Sequence, residues 1–539
     1  MPHTTSFTLP AVRTEISSLW KLAWPILIGQ LATVGMGAAD VAMTGHTNPE
    51  ELAAVSLGAA IWSIVLVTVS GIMMAINTLV AHEIGAARHD QVPHIVRQSL
   101  WKALLVGLVA CLLTNMAALV FDHLMLEPAV AAKAKLFVHI ISCALPPFAA
   151  YRALYGYSTS INQTKPVMVI ALAALALNIF VNYLLIYGHW GMPKLGGVGC
   201  AVATTCCVWM MLLAMLAWIR IAPAYHATYP FAHWEWPQLA SIGPMLRLGL
   251  PIGVTYFAEV SAFGVISLLV ARFGVIQVSA HQIALNFSSV VFMVPLTFGI
   301  ALVTRVGHAV GEANLRRARF ISWVGVAMSL TAAIVSATLI TVFRHQIAQA
   351  YTSDPQVQAL CAQLLLFAAL FQLSDATQVA TSCAIRGYKV TRQPMLIQLL
   401  AFWGFSLPIG YVLGLAPAGF IWSPAEPMAA AGFWIGLVTG LTVAAVLLTG
   451  GLWFGADLTR ALSREGRNVR FDALWLASYG DEKTSRGKID VYAPYQRPIA
   501  GKRVLILDDV FDTGLSLAEA VRITREAGAA EVLTCVFAR

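Results

Sequence analysis

The chain has 539 residues, of which 58% are hydrophobic and only 11% are charged, whereas soluble globular domains carry about 25% charged residues. This composition excludes a soluble single-domain enzyme. The charges are also unevenly distributed, because residues 449–539 hold 25 charged side chains and residues 1–448 hold only 35. Only the C-terminal segment has the composition of a soluble domain, and the remainder predicts a chain embedded in a bilayer.

The N-terminal region, residues 1–17, lacks the order of basic, apolar and small residues that marks a cleaved signal peptide, and we expect a cytoplasmic tail. Apolar windows long enough to cross a bilayer follow it. The windows predict about twelve spans, at residues 20–45, 56–79, 98–121, 136–156, 167–187, 197–220, 247–270, 281–303, 321–343, 358–383, 396–416 and 431–449. The predicted fold is therefore an all-α polytopic membrane protein.

An internal repeat divides the spans into two sets. The segment LAWPILIGQ at 22–30 matches LGLPIGVTY at 248–256, and TLVAHEIGAA at 78–87 matches TRVGHAVGEA at 304–313, both with an offset of 226 residues. Because six spans fit within one repeat, both halves enter the membrane in the same orientation. This predicts two parallel six-helix lobes, residues 18–240 and 241–448. Such bundles are typical of transporters, with a channel or a structural membrane protein as the alternative.

The basic residues indicate the orientation of the spans. With the N-terminus inside, the inner loops receive sixteen Lys and Arg, Lys102 and Arg386 among them, and the outer loops receive five. This bias predicts a multi-pass inner-membrane protein with both termini in the cytoplasm. The positive charge is thereby explained by topology, so we expect no nucleic-acid partner, and we expect a monomer.

Three carboxylates stand deep within the predicted spans: Asp40, Glu259 and Asp375. Each costs at least about 2.5–3.5 kcal/mol if it faces lipid, so each must face protein, water or a cation. One interpretation is a site for Na⁺ or H⁺, because the charge of a buried carboxylate can be coupled to conformation. The alternative is a buried hydrogen bond with a structural role.

Amide side chains accompany these carboxylates. Asn178 and Asn182 are four residues apart on the fifth span, which puts both amides on one helix face, where they could join Asp40 or simply bond a neighbouring helix. Gln282 and Asn286 are the polar neighbours predicted for Glu259. Carboxylate and amide oxygens are hard ligands suited to Na⁺, and the carboxylates alone could carry protons, so the ion stays open.

Two histidines, His82 and His308, occupy matching positions of the repeat, at the inner ends of their spans beside Gly85 and Gly311. Their placement favours interfacial packing over a proton relay.

Long motifs in residues 1–448 resemble the multidrug and toxic compound extrusion (MATE) family, and most of all its bacterial NorM-type branch. The motifs are LAWPILIGQ, AADVAMTGH, NIFVNYLLIYGHWGMPKLGGVGCAVAT, LGLPIGVTYFAEV, SAHQIALNFSSVVFMVPLTFGIALVTRVGHAVGEAN and LSDATQVATSCAIRGYK. The resemblance implies efflux of organic cations, including drugs, in exchange for Na⁺ or H⁺ by rocking of the two lobes, with no other cofactor.

The same resemblance assigns roles to individual residues. It implies that Asp40 and Asn178 form the first-lobe site and that Glu259 and Asp375 form the second-lobe cation-binding pair. One position departs from the family, because Phe371 stands one helical turn before Asp375 where a tyrosine is expected. A hydroxyl ligand is then missing.

The C-terminal segment, 449–539, ends in a different pattern. In GKRVLILDDVFDTGLSLAEAVRITREAGAAEVLTCVFAR we predict a strand, a loop, an amphipathic helix and a second strand. Carboxylates at the end of a strand can bind ribose hydroxyls or Mg²⁺, and the backbone amides of the following helix N-terminus can bind phosphate. The residues of this motif are Asp508, Asp509, Asp512, Thr513, Gly514 and Ser516.

This motif resembles the phosphoribosyl pyrophosphate (PRPP) motif of phosphoribosyltransferases of the hypoxanthine-guanine type. The resemblance implies that Asp512 assists proton transfer at the purine and that Mg²⁺ is needed only if the segment binds PRPP. The family's first core strand would fall on VAAVLLTGG, which is also the end of the twelfth span, and one backbone cannot be both. The purine-binding segments that follow in the family are not found before Arg539.

We therefore expect a transporter fused to a truncated transferase that is not a working enzyme. The alternative hypotheses are a membrane-anchored purine phosphoribosyltransferase and a tail that only regulates the transporter.

Overall fold

The structure is a computed structural model. It describes residues 9–122, 127–417, 424–464, 475–477, 490–493, 499–510 and 515–538. The chain divides into two compact units, Met1–Asp457 and Leu458–Arg539.

The regular elements described in the first unit are all helices, and the last of them continues past Asp457. Its helices are α1 (Leu9–Gly45), α2 (Pro49–Met73), α3 (Ala75–Gly85), α4 (Val92–Ala117), α5 (Pro128–Ser142), α6 (Leu145–Ser160), α7 (Lys165–Tyr187), α8 (Gly197–Ile221), α9 (Leu239–Val270), α10 (Val275–Gly311), α11 (Leu315–Tyr351), α12 (Pro355–Gly387), α13 (Arg392–Leu399), α14 (Leu407–Leu415) and α15 (Ala429–Arg464). A π-helical segment, Leu400–Ser406, joins α13 to α14.

The predicted spans are confirmed. Within the described residues, eleven helical segments are long and apolar enough to cross a membrane, and the pair α5–α6, bent by 42°, makes a twelfth. One face of α4 shows why a bilayer is needed, since Leu104, Leu108 and Leu112 are 42–62% exposed. In water this apolar surface would be unfavourable, whereas lipid solvates it.

Two large apolar cores correspond to the two lobes. One is formed by buried residues between Ile26 and Tyr225, with Ile300 added, and the other by residues between Ala262 and Leu441. A third core joins the start of α1 to α10 and α11, so the first helix also packs against the second lobe.

Glycines allow the last helix to approach its neighbours closely. A Cβ on Gly432 would lie 2.5 Å from the backbone nitrogen of Gly414, and one on Gly436 would lie 2.5 Å from the carbonyl oxygen of Ser406. Small residues at a spacing of four are a usual means of tight helix packing in membranes. The stripe of Gly432, Gly436 and Gly440 therefore fixes α15 against α14 and the π-helical segment.

At the end of the bundle that carries His82 and His308, α3 and α10 approach each other closely at two equivalent glycines. A Cβ on Gly85 in α3 would collide with the carbonyl oxygen of His308 in α10, and a Cβ on Gly311 in α10 would collide with the carbonyl oxygen of His82. We call this contact the α3–α10 crossing. It follows the repeat, since each glycine stands three residues after the histidine of its own lobe.

The second unit contains two short sheets. The strands β1 (Trp475–Ala477) and β2 (Asp490–Ala493) are antiparallel, with Leu476 opposite Val491. The strands β3 (Arg503–Val510) and β4 (Glu531–Ala538) are parallel, and α16 (Leu515–Glu526) connects them. The predicted order of strand, helix and strand is thus observed, while residues 511–514 of the predicted loop lie outside the described residues.

The structure also decides the conflict over VAAVLLTGG. These residues, 443–451, lie inside α15, which continues without a break from Ala429 to Arg464. The segment forms a helix and not a strand because it continues a bilayer-spanning stretch, in which the backbone groups must be satisfied within the helix itself.

Candidate cation-binding sites

Asp40 lies near the end of α1 and is held by side chains from two other helices. Asn182 of α7 donates its amide to Asp40 Oδ1 over 2.6 Å, and Thr204 of α8 donates its hydroxyl to Asp40 Oδ2 over 2.9 Å. Both carboxylate oxygens therefore have a donor. The structure brings Asp40 and the predicted amides together.

The two asparagines complete a closed network. Asn182 also donates to Asn178 Oδ1 over 3.2 Å, and the Asn178 amide donates to Thr204 Oγ1 over 3.3 Å. Both amide side chains are fully buried. The i, i+4 spacing on α7 is what allows one asparagine to contact the other while both reach neighbouring helices.

One atom of this network is left without a partner. Asn182 Oδ1 is buried and makes no hydrogen bond, although a buried acceptor is normally satisfied. The nitrogen of the same amide group contacts both the Asp40 carboxylate and the Asn178 side-chain oxygen. Carboxylate, amide and hydroxyl oxygens form the donor set that hard cations prefer, so Asp40, Asn178, Asn182 and Thr204 together could hold Na⁺.

Thr204 was not predicted from the sequence. The signal was present, since α8 is apolar and carries only a few hydroxyl side chains, but Thr204 and Thr205 are adjacent and the sequence does not choose between them. In the structure Thr205 instead donates to the Ile140 carbonyl over 3.3 Å. The rotation of α8 about its axis decides which threonine faces Asp40.

The second-lobe carboxylates are neighbours. Glu259 of α9 and Asp375 of α12 are close enough to interact electrostatically, and Asp375 is only 1% exposed. Asp375 Oδ1 accepts a hydrogen bond of 3.2 Å from Gln378, whose own side-chain oxygen accepts one from Gln398 of α13. Gln378 and Gln398 were not predicted as site residues.

Gln282 and Asn286 lie elsewhere. Both are on an exposed face of α10, and Asn286 Oδ1 accepts a hydrogen bond of 3.0 Å from Tyr351. Across the described parts of the chain, no hydrogen bond connects either residue to Glu259 or Asp375. Their supposed closeness to Glu259 was inferred from helix order alone, and the rotation of α10 turns them away.

Phe371 takes part in an aromatic cluster. Its ring packs edge-on against Trp434 at 5.8 Å and against Phe263 at 6.1 Å, measured between ring centroids. One turn from Asp375 this position therefore supplies apolar packing and no hydroxyl.

Two basic residues assigned to inner loops are in fact buried within helices. Arg386 lies in the last turn of α12, is 4% exposed, and donates to the Tyr256 hydroxyl over 3.3 Å. Lys102 of α4 is fully buried and donates to the Ile72 carbonyl over 3.3 Å. The placement of both in loops was wrong, because each long side chain finds an oxygen acceptor inside the bundle.

Comparisons with known proteins follow the same division of the chain. The sequence model of the family described as MatE matches residues 25–184 and again residues 251–412. The two matches begin 226 residues apart, as the internal repeat predicts. This chain belongs to the MatE family.

Curated MatE relatives cover nearly the whole membrane part. The chain is 44% identical over 438 residues to multidrug resistance protein PmpM of Pseudomonas aeruginosa. This alignment covers 81% of the chain and 91% of the relative. It is 41% identical over 433 residues to the probable multidrug resistance protein NorM of Shewanella oneidensis, spanning 80% and 93%. The resemblance to the NorM-type branch is thus confirmed.

Solved structures show the same fold at lower identity. A multidrug resistance MATE family transporter in an outward-facing conformation aligns with a TM-score of 0.74 at 18% identity, covering 83% of this chain and 96% of the other. The eukaryotic MATE transporter AtDTX14 aligns with a TM-score of 0.73 at 20% identity, covering 81% and 95%.

The C-terminal segment matches a second family, the phosphoribosyl transferase domain, over residues 441–539. The start of this match falls within α15. Of the PRPP-like motif, Asp508 and Asp509 belong to β3 and Ser516 to α16, while Asp512, Thr513 and Gly514 lie outside the described residues.

Proposed function

We propose that this MatE-family chain is a secondary active efflux antiporter that exports organic cations and other toxic compounds in exchange for Na⁺ or H⁺. The relatives named as multidrug resistance proteins support this substrate class. In this proposal the chain lies in the inner membrane with both termini in the cytoplasm. It acts as a monomer.

The observation that carries the proposal is the network around Asp40. A partly buried carboxylate that is held between three helices with both of its oxygens bonded, and that is bonded by an amide whose own oxygen has no partner, is a costly arrangement for structure alone. A bound cation would satisfy the free oxygen and offset the carboxylate charge. Glu259 and Asp375 provide a second acidic site in the other lobe.

Exchange of ion for drug then follows from competition for negative charge. A cation on the carboxylates and a cationic drug bound near them repel each other, so each would favour release of the other. Na⁺ would be held by the oxygens of Asp40, Asn178, Asn182 and Thr204, whereas H⁺ would need only the carboxylates.

The decisive experiment measures efflux of ethidium from proteoliposomes under a Na⁺ gradient or a pH gradient imposed separately. Asp40→Asn, Glu259→Gln and Asp375→Asn should each lower the initial rate at least about fivefold, since a lost coupling free energy of about 1–3 kcal/mol corresponds to about 5–150-fold. Asp122→Asn is the matched control, because this aspartate pairs with Lys135 away from both sites. Unchanged efflux in all three variants would refute the proposal.

A second candidate activity is purine phosphoribosyl transfer by the C-terminal segment. The parallel pair β3–β4 with α16 between them, together with the family match, favours it. Full-length protein incubated with hypoxanthine, PRPP and Mg²⁺ should form no nucleotide if the segment is an inactive fragment. Product that disappears in Asp512→Asn would instead establish the enzyme.

The regulatory alternative is tested by truncation. Removal of residues 465–539 keeps α15 whole. Equal efflux and equal protein level in the truncated and full-length chains would exclude regulation by the tail.

A further inference from the structure

A small cavity lies between the two lobes, close to the break between α2 and α3. Residues from this break, from α3 and from α6 form most of its wall, and α10 of the second lobe adds one side chain. The lining residues are Met74, Asn77, Arg152, Tyr155, Gly156 and Ile300. The space, mouth included, is about 250 Å³, whereas a pocket for a whole drug-sized ligand has about 300–1,000 Å³. The cavity therefore fits one group at the end of a ligand.

The lining of this cavity carries one charged side chain, and that side chain is basic. The guanidinium of Arg152 lies 4.5 Å from the centroid of the Tyr155 ring, three residues later on α6. A guanidinium is always ionised and presents its donors in one plane, and stacking on an aromatic ring orients that plane. Ion pairs among the described residues join other basic side chains, such as Arg305 with Glu15, and none of them includes Arg152. The cavity thus offers an oriented cation to a ligand.

The Tyr155 hydroxyl is a second group in need of a partner. Tyr155 is only 6% exposed, and its hydroxyl makes no hydrogen bond with any described residue. A buried hydroxyl is normally bonded, because burial removes its hydrogen bonds to water. Tyr157 on the same helix follows this rule, since its hydroxyl donates to the Thr228 carbonyl over 2.9 Å. A free hydroxyl beside a guanidinium points to a ligand that accepts hydrogen bonds and carries negative charge.

Two further cations are linked to the cavity wall near Met74. Lys102 of α4 is fully buried and donates to the carbonyl of Ile72, two residues before Met74. On the side of the second lobe, the Tyr256 hydroxyl donates to the Met74 sulfur over 3.6 Å and accepts a hydrogen bond from Arg386. Charges act over longer distances where water is scarce. Both cations therefore add to the attraction of the cavity for an anion.

An acidic site is also close to this part of the molecule. Tyr256 and Glu259 are three residues apart on α9, so they are neighbours on one helix face, about 5–6 Å apart. Tyr256 adjoins the cavity through Met74, and Glu259 belongs to the pair with Asp375. A ligand with an anionic end and a cationic end can therefore contact both regions at once.

We propose that this cavity binds the carboxylate of a zwitterionic compound that the transporter exports, with Arg152 and Tyr155 as the residues that recognise it. This inference rests on the proposed function. A carboxylate is favoured because its two oxygens match the planar fork of a guanidinium, and the Tyr155 hydroxyl can donate to one of them. The cationic end of the compound is then directed toward the acidic pair. The protein accordingly distinguishes a compound with a free carboxylate from its ester.

The test compares two dyes that differ only in this group. Rhodamine B is a zwitterion with a free carboxylate at neutral pH, and its methyl ester is a cation. Fluorescence polarisation measures the affinity of the purified full-length protein for each dye. Transport of each dye is measured as efflux from proteoliposomes. In the wild type, both dyes should bind and be exported.

Variants at the two recognition residues should affect rhodamine B selectively. Arg152→Gln should weaken its binding about tenfold or more, since a charge-assisted hydrogen bond contributes at least that factor. The ester has no carboxylate and is repelled by the arginine, so it should bind no more weakly than to the wild type. Tyr155→Phe, which keeps the ring, should weaken rhodamine B by a smaller factor. Arg152→Lys keeps the charge without the planar fork and should be intermediate.

Arg220→Gln is the matched control, because Arg220 is an exposed arginine in the last turn of α8. It should bind both dyes as the wild type does. Equal losses for the two dyes in Arg152→Gln would show that the arginine only supports the fold, and would overturn the inference. If Arg152→Gln does not fold, an unchanged affinity of Tyr155→Phe for rhodamine B overturns it instead.

Competition and transport separate the remaining outcomes. Acetate should displace rhodamine B at lower concentration than inorganic phosphate does, and the reverse order would assign the cavity to a phosphate group and overturn the proposal. A wild type that exports the ester but does not bind rhodamine B overturns this inference and leaves the antiporter intact. A wild type that exports neither dye overturns both.

Discussion

Asp40 accepts its 2.6 Å hydrogen bond from Asn182, a residue 142 positions further along the chain, and its other oxygen is bonded by Thr204 from a third helix. The orientation of the carboxylate is thus set by two helices that do not belong to its own. This relationship turns an acidic residue in an apolar span into a defined site, and it predicts which hydroxyl matters.

Thr204→Val keeps the shape of the side chain and removes the donor to Asp40. We expect the initial efflux rate to fall about fivefold or more, since a hydrogen bond to a charged group contributes about 1.5–3 kcal/mol. Thr205→Val is the control, because its hydroxyl bonds the Ile140 carbonyl. Equal rates for the two variants would show that Thr204 has no part in the site.

The α3–α10 crossing should not tolerate a side chain. Gly85→Ala and Gly311→Ala each place a methyl group against a backbone carbonyl, and overpacking of this kind typically costs about 1–3 kcal/mol. We expect a lower melting temperature in detergent and slower efflux. Gly264→Ala in α9, where a Cβ meets nothing within 4 Å, should not lower the melting temperature. Loss of stability in the control alone would contradict the reciprocal contact.

Glu15 and Arg305 form a bidentate pair between α1 and α10. The Arg305 Nε and Nη2 atoms donate to the two carboxylate oxygens over 2.9 and 2.7 Å, and the Glu15 side chain is 8% exposed. Glu15→Ala leaves the arginine unpaired, which typically costs about 3–5 kcal/mol when the partner is buried.

Thermal unfolding measures this loss. Glu83→Ala breaks the pair with Arg88, which is 60% exposed, and should change stability by less than about 1 kcal/mol. Equal effects of Glu15→Ala and Glu83→Ala would show that the buried pair does not secure α1 to the second lobe.

The linker between the lobes should respond to acid. Glu235 accepts hydrogen bonds from Arg97 and, over 2.7 Å, from His94, and the Arg97 bond is the main reason that the pKa of Glu235 falls from 4.5 to about 2. A lowered pKa means that the ionised carboxylate stabilises the folded linker above pH 4.5 and that this contribution is lost as the pH falls toward 2.

The check is tryptophan fluorescence, because Trp101 donates to the Glu235 carbonyl and stacks with Trp236. We expect an emission change between pH 4.5 and 2 that is absent in Glu235→Gln. Since Glu235 is partly exposed, the effect on stability should be small. An identical acid transition in the variant would assign it to another group.

Much of the architecture could be predicted from the sequence. Spans follow from runs of apolar residues, because each helix in a bilayer must satisfy its own backbone groups and needs about twenty residues to cross. The repeat and the motif around Asp508 could likewise be predicted, because each is formed by consecutive residues. The amides of α7 were predictable as a pair because four residues return a helix to the same face.

Only the tertiary structure decided which side chains share a site. Thr204 and Arg386 acquire their roles from partners 164 and 130 residues away, and helix rotation selects Thr204 over Thr205 and turns Gln282 and Asn286 away from Glu259. Hydropathy records how apolar a span is, whereas rotation and crossing are set by packing between helices, which no single segment contains. The sequence by itself determined a two-lobed membrane transporter with acidic residues inside its spans. Packing between distant helices decided which side chains those acidic residues contact.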